Sequence, residues 1–499
     1  MFDIGRTLLA AAARDRSSLA LVDGEQTLTY GELAELATRA VTLLDGLGLQ
    51  AGDRLLVVMQ NRIETALAYW ATQLADVIFT PVNWRVKPGE LDFFLRDSGA
   101  RAIIHCGAAA DAVAASELAG GLPTVAIDQG EAFLDRVSAL PPAAGLPRAS
   151  ADRLSVLLYT SGTTGPGKGV PRSHQAERAA GLAHVAQNAY LSGEATLGIM
   201  PLYHTMGVRS LLAMALTNGL FVCQHKFDAG QSLELIARHR LTALYLVPTL
   251  YHDMLAHPSF AATDITSVRK LGFAGAPMTA SLLARLDAAF SPDLFVNHYG
   301  STEIYTFTTN RHAPKTPPSA GRAGINSEIR LVPLDADGVD DDVAIGEPGQ
   351  IVARLSSDEA FSGYWYRPDA DAKAIRDGWY LTGDVGYLDA EGNLFVTGRI
   401  DDMIISGGEN ILPTEIESVI SLHPGVLDVV VVGQPDERLG QRVAAYVTAA
   451  GTVSPQELDA WCRQSDLADF KRPRDYVFVE ELPKSPVGKI LRRLLVAAE

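Results

Sequence analysis

Eleven consecutive residues constrain this chain more than any others: Tyr159-Thr160-Ser161-Gly162-Thr163-Thr164-Gly165-Pro166-Gly167-Lys168-Gly169, with four glycines, four Ser/Thr hydroxyls and one lysine. A mostly apolar run, 154–158, precedes them and predicts a buried strand. Glycine lets backbone N–H groups turn toward an anion with no Cβ in the way. The hydroxyls add rotatable donors, and the lysine adds a point charge. A strand running into such a loop is suited to hold phosphate. The loop is not a Walker A sequence, Gly-x-x-x-x-Gly-Lys-Ser/Thr. Gly162, Gly167 and Lys168 keep that spacing, but Gly169 stands where the magnesium-binding hydroxyl belongs. A flexible Gly/Ser/Thr turn is the competing reading, and the rest of the chain weighs against it.

With 499 residues the chain is too long for one core and predicts roughly two to four domains. Apolar content of 47% and charged content of 20% place it among ordinary globular proteins. A net charge of -17 argues against a nucleic-acid or anionic-membrane partner, although a local basic pocket is compatible with it. Cys106, Cys223 and Cys462 are scattered, with neither metal-ligand nor disulfide spacing, which points to a reducing cytoplasm. The short apolar run near the start, ended by Arg14, reads as an amphipathic helix rather than a signal peptide. No run of 18 apolar residues is present to span a membrane.

Helix and strand signals alternate over 28–106: a helix capped by Thr29, a strand at 53–59, a helix at 63–74, a turn and strand over 75–83, and a strand at 102–106. The rhythm returns after a proline-rich connector at 139–147, with strands near 154–159, 196–199, 220–224, 243–247 and 269–273. Alternation of this kind predicts α/β sheets with helices on their faces. From about 325 the texture changes to a smaller β-rich unit, with strands at 327–332 and 349–354. The tail from about 402 mixes helices at 413–421 and 454–463 with strands at 426–432 and 442–447, a small α+β domain.

Four more motifs follow the glycine-rich loop. In Asn297-His298-Tyr299-Gly300-Ser301-Thr302-Glu303 an aromatic beside glycine can stack on a base, and the Thr-Glu pair offers oxygen ligands for a hard cation. In Gly378-Trp379-Tyr380-Leu381-Thr382-Gly383-Asp384 a carboxylate at a strand-to-turn junction can accept both hydroxyls of a ribose. Gly398-Arg399-Ile400-Asp401-Asp402 leads into Ser406-Gly407-Gly408-Glu409-Asn410, and Pro483-Lys484-Ser485-Pro486-Val487-Gly488-Lys489 lies near the end. Each alone also reads as a turn, a hairpin or a solvated lysine. In this order and spacing, from Thr29-Tyr30-Gly31-Glu32-Leu33 to Lys489, they resemble the adenylate-forming superfamily of acyl- and aryl-CoA ligases, luciferases and peptide-synthetase adenylation domains. Pro201-Leu202-Tyr203-His204, Phe273-Ala274-Gly275-Ala276 and Ala468-Asp469-Phe470-Lys471-Arg472-Pro473 are most similar to the 4-chlorobenzoate and benzoate CoA ligases.

The resemblance implies a large N-terminal domain, 1–400, of two α/β sheets and a β-rich part at about 325–400, with a small mobile C-terminal domain, 401–499. It implies a carboxylate attacking ATP to give an acyl-adenylate and pyrophosphate, after which coenzyme A displaces AMP. Positioned donors would dominate both steps. On this likeness Thr160, Ser161, Gly162, Thr163, Thr164, Gly165 and Lys168 hold the β- and γ-phosphates. Tyr299 stacks on adenine, with Gly275, Ala276 and Pro277 on its other side. Thr302 touches the α-phosphate, Glu303 holds Mg2+, and Asp384 takes the ribose beside Arg399. Lys489 bridges the attacking carboxylate and the α-phosphate. Asp401 is the hinge. Gly407 and Gly408 lie on the strand that faces the site in the second step, and Arg85, Lys471 and Arg472 are candidates for coenzyme A phosphates.

The acid pocket implied by the likeness comprises His204, Thr205, Met206, Gly207, Tyr245, Gly300, Ile304 and Phe307. His204 is a stacking gate or a core histidine. The aromatic and small residues suit a compact planar acid such as benzoate or furoate. Arg209 departs from the halobenzoate ligases, whose matching residue is apolar; it either meets a second carboxylate or has a structural place, capping a helix or meeting an acid such as Asp228, and the structural place is favoured. The alternatives are a dicarboxylate or short- to medium-chain acyl-CoA ligase and a free-standing adenylation enzyme for a carrier protein, no carrier domain being expected in the ten residues after Lys489. A non-catalytic nucleotide-binding protein is disfavoured by Lys168, Glu303, Asp384, Arg399 and Lys489. A cytoplasmic setting is expected; the resemblance, to a family whose members are often dimers, is compatible with a homodimer, and the sequence does not itself set the oligomeric state.

Overall fold

The structure, a computed structural model, describes residues 2–130, 132–160, 167–334, 338–483 and 491–496. Its chain divides into two compact units, Met1–Glu328 with Arg354–Gly378, and Ile329–Ala353 with Trp379–Glu499.

The first unit is built on two sheets. In the six-stranded sheet the order is Thr124–Ala126, Ala102–His105, Arg54–Val58, Ile78–Pro81, Leu154–Tyr159, Gly169–Ser173. All neighbours are parallel except the last pair, which is antiparallel. The nine-stranded sheet has six parallel strands in its middle: Leu294–Tyr299, Lys270–Phe273, Ala243–Leu246, Ala195–Gly198, Leu220–Cys223 and Leu19–Asp23. Antiparallel strands close it at both edges. The parallel strands are apolar almost throughout because both of their faces are covered.

The sheets do not follow the two halves of the sequence. After the proline-rich connector, Leu154–Tyr159 returns to pair with Ile78–Pro81, while Leu19–Asp23, near the start, pairs with Leu220–Cys223. One apolar core takes side chains from both sheets, such as Leu55 and Phe79 from one and Leu21 and Phe221 from the other. Helices Tyr30–Gly46, Ile63–Ala75 and Thr205–Thr217 contribute to the same core. The second of these is buried at every position. Helix Tyr30–Gly46 starts in a capping box: Thr29 Oγ1 accepts from the Glu32 N–H (3.3 Å), and Glu32 accepts from the Thr29 N–H (2.8 Å).

In the second unit, Ile329–Val332 pairs with Gly349–Arg354, and Trp379–Leu388 with Leu394–Arg399, all antiparallel. A further sheet joins Ile404–Ser406, Glu409–Ile411, Val426–Asp436, Gly440–Ala449 and Asp475–Phe478. Helices Pro413–Ile420 and Pro455–Gln464 contribute to the core of that sheet. Among the described residues no helix is long and apolar enough to cross a membrane.

Candidate active site

In open parallel sheets, ligands bind beyond the carboxyl ends of the strands, where loops leave the sheet. The residues singled out in the first unit gather on such loops. Strand Leu154–Tyr159 delivers Thr160, and Lys168 stands just before the returning strand Gly169–Ser173. The mouth of the loop is closed by the backbone. The Thr160 N–H donates to the Lys168 carbonyl (3.0 Å), and the Lys168 N–H donates to Thr160 Oγ1 (3.3 Å). Ser161, Gly162, Thr163, Thr164 and Gly165 lie outside the described residues.

Gly275, Ala276 and Pro277 follow strand Lys270–Phe273, and Tyr299 ends strand Leu294–Tyr299. Tyr299 is half-buried, with its ring edge-on to Phe307 at 5.2 Å between centroids. Gly300 follows, and a Cβ there would lie 2.2 Å from the Tyr305 carbonyl oxygen, so only glycine fits this tight return.

Glu303 is 5% exposed, and its carboxylate accepts from the Tyr364 hydroxyl at 2.6 Å. The Lys168 ammonium lies 4.2 Å from the centre of the same tyrosine ring. Tyr364 thus connects the lysine of the glycine-rich loop to the glutamate of the second motif. Sequence reasoning passed over Tyr364; its place in Gly363-Tyr364-Trp365, between two turns, was the available signal.

Arg172 was also missed. Its guanidinium is wholly buried and pairs with Glu177 at 2.5 Å. It donates to the carbonyls of Thr302 (3.3 Å), Glu303 (3.1 Å) and Glu359 (2.8 Å), and it stacks on Tyr305 at 3.7 Å. The segment carrying Thr302 and Glu303 is therefore clamped from below. A charged residue inside an otherwise apolar strand was the signal in the sequence.

The acid-pocket residues start from helix Thr205–Thr217. His204 caps that helix, its Nδ1 accepting from the Met206 N–H at 3.4 Å, and it is half-buried. Thr205, Met206, Tyr245, Ile304 and Phe307 are buried. Gly207 sits in the first turn of the helix. Arg209 does not turn toward Asp228, which caps its own helix by accepting from the Gln231 N–H at 2.8 Å. It is 2% exposed and donates to Thr306 Oγ1 (2.9 Å), to the Tyr305 carbonyl (3.3 Å) and to the Tyr245 hydroxyl. Arg209 thus has protein partners, and one of them, Tyr245, belongs to the expected acid pocket.

Two expectations in the second unit are corrected. Asp384 is not at a strand-to-turn junction. It lies within strand Trp379–Leu388, opposite Arg399, whose Nε is 3.5 Å from its Oδ1. Gly407 and Gly408 are not in a strand either: they form the two-residue turn between Ile404–Ser406 and Glu409–Ile411. Their φ angles of +62° and +90° suit a tight hairpin, and this is why glycine occupies both positions. Asp401 stands in a single 3-10 turn after Leu394–Arg399. Lys471 pairs with Glu415 at 2.7 Å, and Arg472 is buried against Asp459. Arg85, in the first unit, is exposed and stacks on Trp84 at 3.8 Å. Lys489 lies outside the described residues.

Residues 8–365 match the family of AMP-binding enzymes, and residues 415–489 match the C-terminal domain of AMP-binding enzymes. The chain belongs to this adenylate-forming family, and its class is that of the AMP-forming acid–thiol ligases. It is 35% identical over 486 residues to a feruloyl-CoA synthase of Amycolatopsis sp, covering 94% of this chain and 93% of that one. It is 33% identical over 498 residues to a 4-chlorobenzoate–CoA ligase of Arthrobacter sp, covering 97% and 93%. A long-chain-fatty-acid–CoA ligase of Mycobacterium tuberculosis is 31% identical over 474 residues, covering 94% and 92%. In structure the chain is similar to an anthranilate CoA ligase in complex with anthranoyl-AMP, with a TM-score of 0.91 and 26% identity over 100% of this chain and 97% of that one.

Proposed function

We propose that this protein activates a small aromatic or heteroaromatic carboxylic acid, benzoate- or furoate-like, with ATP and transfers it to coenzyme A, releasing AMP and pyrophosphate. The observation that carries the reading is the Lys168–Tyr364–Glu303 chain, in which a single phenol spans the cationic end of one motif and the carboxylate of another. An ammonium and a cation-binding carboxylate held this close suit a polyphosphate and its counterion.

The roles follow. Thr160, Lys168 and the loop between them hold the phosphates. Tyr299 and the Gly275-Ala276-Pro277 turn take the adenine, and Asp384 with Arg399 the ribose. Glu303 fits Mg2+, since it is an anionic oxygen donor with lone pairs left beside the one Tyr364 uses. Bound there, the cation would neutralise charge on the phosphates. His204, Thr205, Met206, Gly207, Arg209, Tyr245, Gly300, Ile304 and Phe307 receive the acid. Arg85, Lys471, Arg472, Gly407 and Gly408 meet coenzyme A, and the segment from 401 onward turns about Asp401 between the half-reactions. The three cysteines are buried and unbridged, in keeping with a cytoplasmic setting.

The aromatic reading is supported by relatives named for ferulate, 4-chlorobenzoate and anthranilate. The relative named for long-chain fatty acids keeps an acyl substrate as the second reading. A pyrophosphate-release screen over aromatic, short-chain, long-chain and dicarboxylic acids, with and without coenzyme A, tests both. Aromatic acids should lead, and AMP should form with thioester only when coenzyme A is present. Turnover confined to aliphatic acids would replace the first reading with the second. Lys489→Ala should abolish pyrophosphate release yet leave thioester formation from a supplied acyl-adenylate; equal loss in both half-reactions would remove the role given to Lys489.

A further inference from the structure

The polar stripe of helix His174–Gln187 faces inward. Glu177, His184 and Gln187 are buried, as is Asn188 directly after them. Asn188 sets the tautomers of two histidines. Its Nδ2 donates to the His184 carbonyl (2.8 Å), which orients the amide, and to His184 Nδ1 (3.0 Å). Its Oδ1 accepts from His298 Nε2 at 3.1 Å. Burial first, and then the Arg209 charge, holds both imidazoles well below their ordinary pKa, so both are neutral. His184 therefore carries its proton on Nε2, and His298 presents Nδ1 as a bare acceptor.

Neither of those atoms has a hydrogen-bond partner. The same holds for Arg209 Nε and for both polar atoms of the Gln187 amide. These groups converge. The His184 ring lies 4.6 Å from Tyr245 and 5.2 Å from His298 between centroids, and the Tyr245 hydroxyl accepts from Arg209. A Cβ on Gly324 would lie 3.6 Å from Gln187 Oε1 and 2.9 Å from Thr306 Cγ2, and Thr306 Oγ1 accepts from Arg209 at 2.9 Å. Buried polar side-chain atoms nearly always have partners. A knot of unpartnered ones beside Arg209 and Tyr245, both assigned above to the acid pocket, calls for a guest that brings its own polar atoms.

We propose that the acid carries, besides its reacting carboxylate, a neutral hydroxyl-type substituent that seats among Arg209, His184 and His298. A hydroxyl oxygen can accept from Arg209 Nε and His184 Nε2, and its hydrogen can go to His298 Nδ1; a methyl or a halogen does neither. A second carboxylate suits the site less well, because it brings no hydrogen for the bare acceptor of His298, and Arg172 already has Glu177 for charge balance.

The inference rests on the ligase reading above and narrows its substrate. The test measures pyrophosphate release with benzoate, 3- and 4-hydroxybenzoate, 4-methylbenzoate, isophthalate and terephthalate. One hydroxybenzoate should exceed 4-methylbenzoate by about 100-fold or more in kcat/KM, since sites built to hydrogen-bond a hydroxyl reject the analogue lacking it. His184→Phe should collapse that ratio toward about one, mainly through KM for the hydroxylated acid. Gln187→Leu serves as a second variant if thermal unfolding shows that His184→Phe does not fold. Benzoate or 4-methylbenzoate turned over as well as the hydroxybenzoates would overturn the inference and leave the ligase standing. A dicarboxylate in the lead would overturn it too and make Arg209 a carboxylate site. No release with any of these acids would remove the aromatic-acid reading on which the inference rests.

Discussion

Arg172 and Tyr364 organise the site without belonging to any of the motifs that announce it. Breaking a buried ion pair leaves a charge uncompensated in low dielectric. Arg172→Ala does this to Glu177 and also frees three carbonyls, so it should cost about 3–5 kcal/mol of unfolding free energy in urea titration. A loss below about 1 kcal/mol would show that Glu177 is not held as an ion. Tyr364→Phe keeps the ring beneath Lys168 and deletes only the donor to Glu303. One charge-assisted hydrogen bond is worth about 1.5–3 kcal/mol, hence adenylation kcat/KM should fall roughly 10- to 100-fold. Tyr364→Leu should fall further, because the cation–π contact goes as well. Equal effects of the two substitutions, read from pyrophosphate release, would confine the role of Tyr364 to its hydroxyl.

Helix starts and strands were largely legible in the sequence. Thr29 with Glu32 predicts the capping box that is observed, and Thr29→Ala should lower stability by about 1 kcal/mol, seen as an earlier urea midpoint. The strands expected near 154–159, 243–247 and 269–273 are found within a residue or two of those limits, since short β-branched or apolar runs between turn residues admit little else. Helix His174–Gln187 was not legible in the same way. Glu177, His184 and Gln187 recur at helical spacing, a pattern that ordinarily marks the solvent face. Here the stripe turns inward because Arg172 neutralises Glu177, and Asn188, from just past the helix, satisfies one nitrogen of His184. The Gly407-Gly408 pair, expected on a strand, forms the turn of a hairpin instead, because reversing direction there takes positive φ at both positions.

Buried neutral histidines give the whole chain a pH dependence. His174 is held down to about 4 from its ordinary 6.5, chiefly by burial, and its Nδ1 accepts the Ile4 N–H at 3.2 Å. A group whose pKa is depressed on folding binds its proton more readily when unfolded. Its contribution is therefore complete above about pH 6.5 and is lost as pH falls toward about 4. His184 and His298 are shifted in the same direction. Urea midpoints should fall steadily between pH 7 and pH 5, each such histidine adding up to about 1.4 kcal/mol per pH unit. A flat profile over that range would mean that these imidazoles are solvated in the native state.

The sequence alone pointed to the reaction class, because its motifs, in their residue types and order, resemble those of the adenylate-forming family. It also determined the α/β character, which follows from apolar period and turn residues. The tertiary structure decided what spacing cannot carry. It sent strand Leu154–Tyr159 back to the first sheet and Leu19–Asp23 into the second, and it set Tyr364 between Lys168 and Glu303. It also turned Arg209 and the polar stripe of one helix into the interior. Contacts between residues far apart along the sequence leave no periodic trace in a single chain. The acid preference proposed above rests on such contacts.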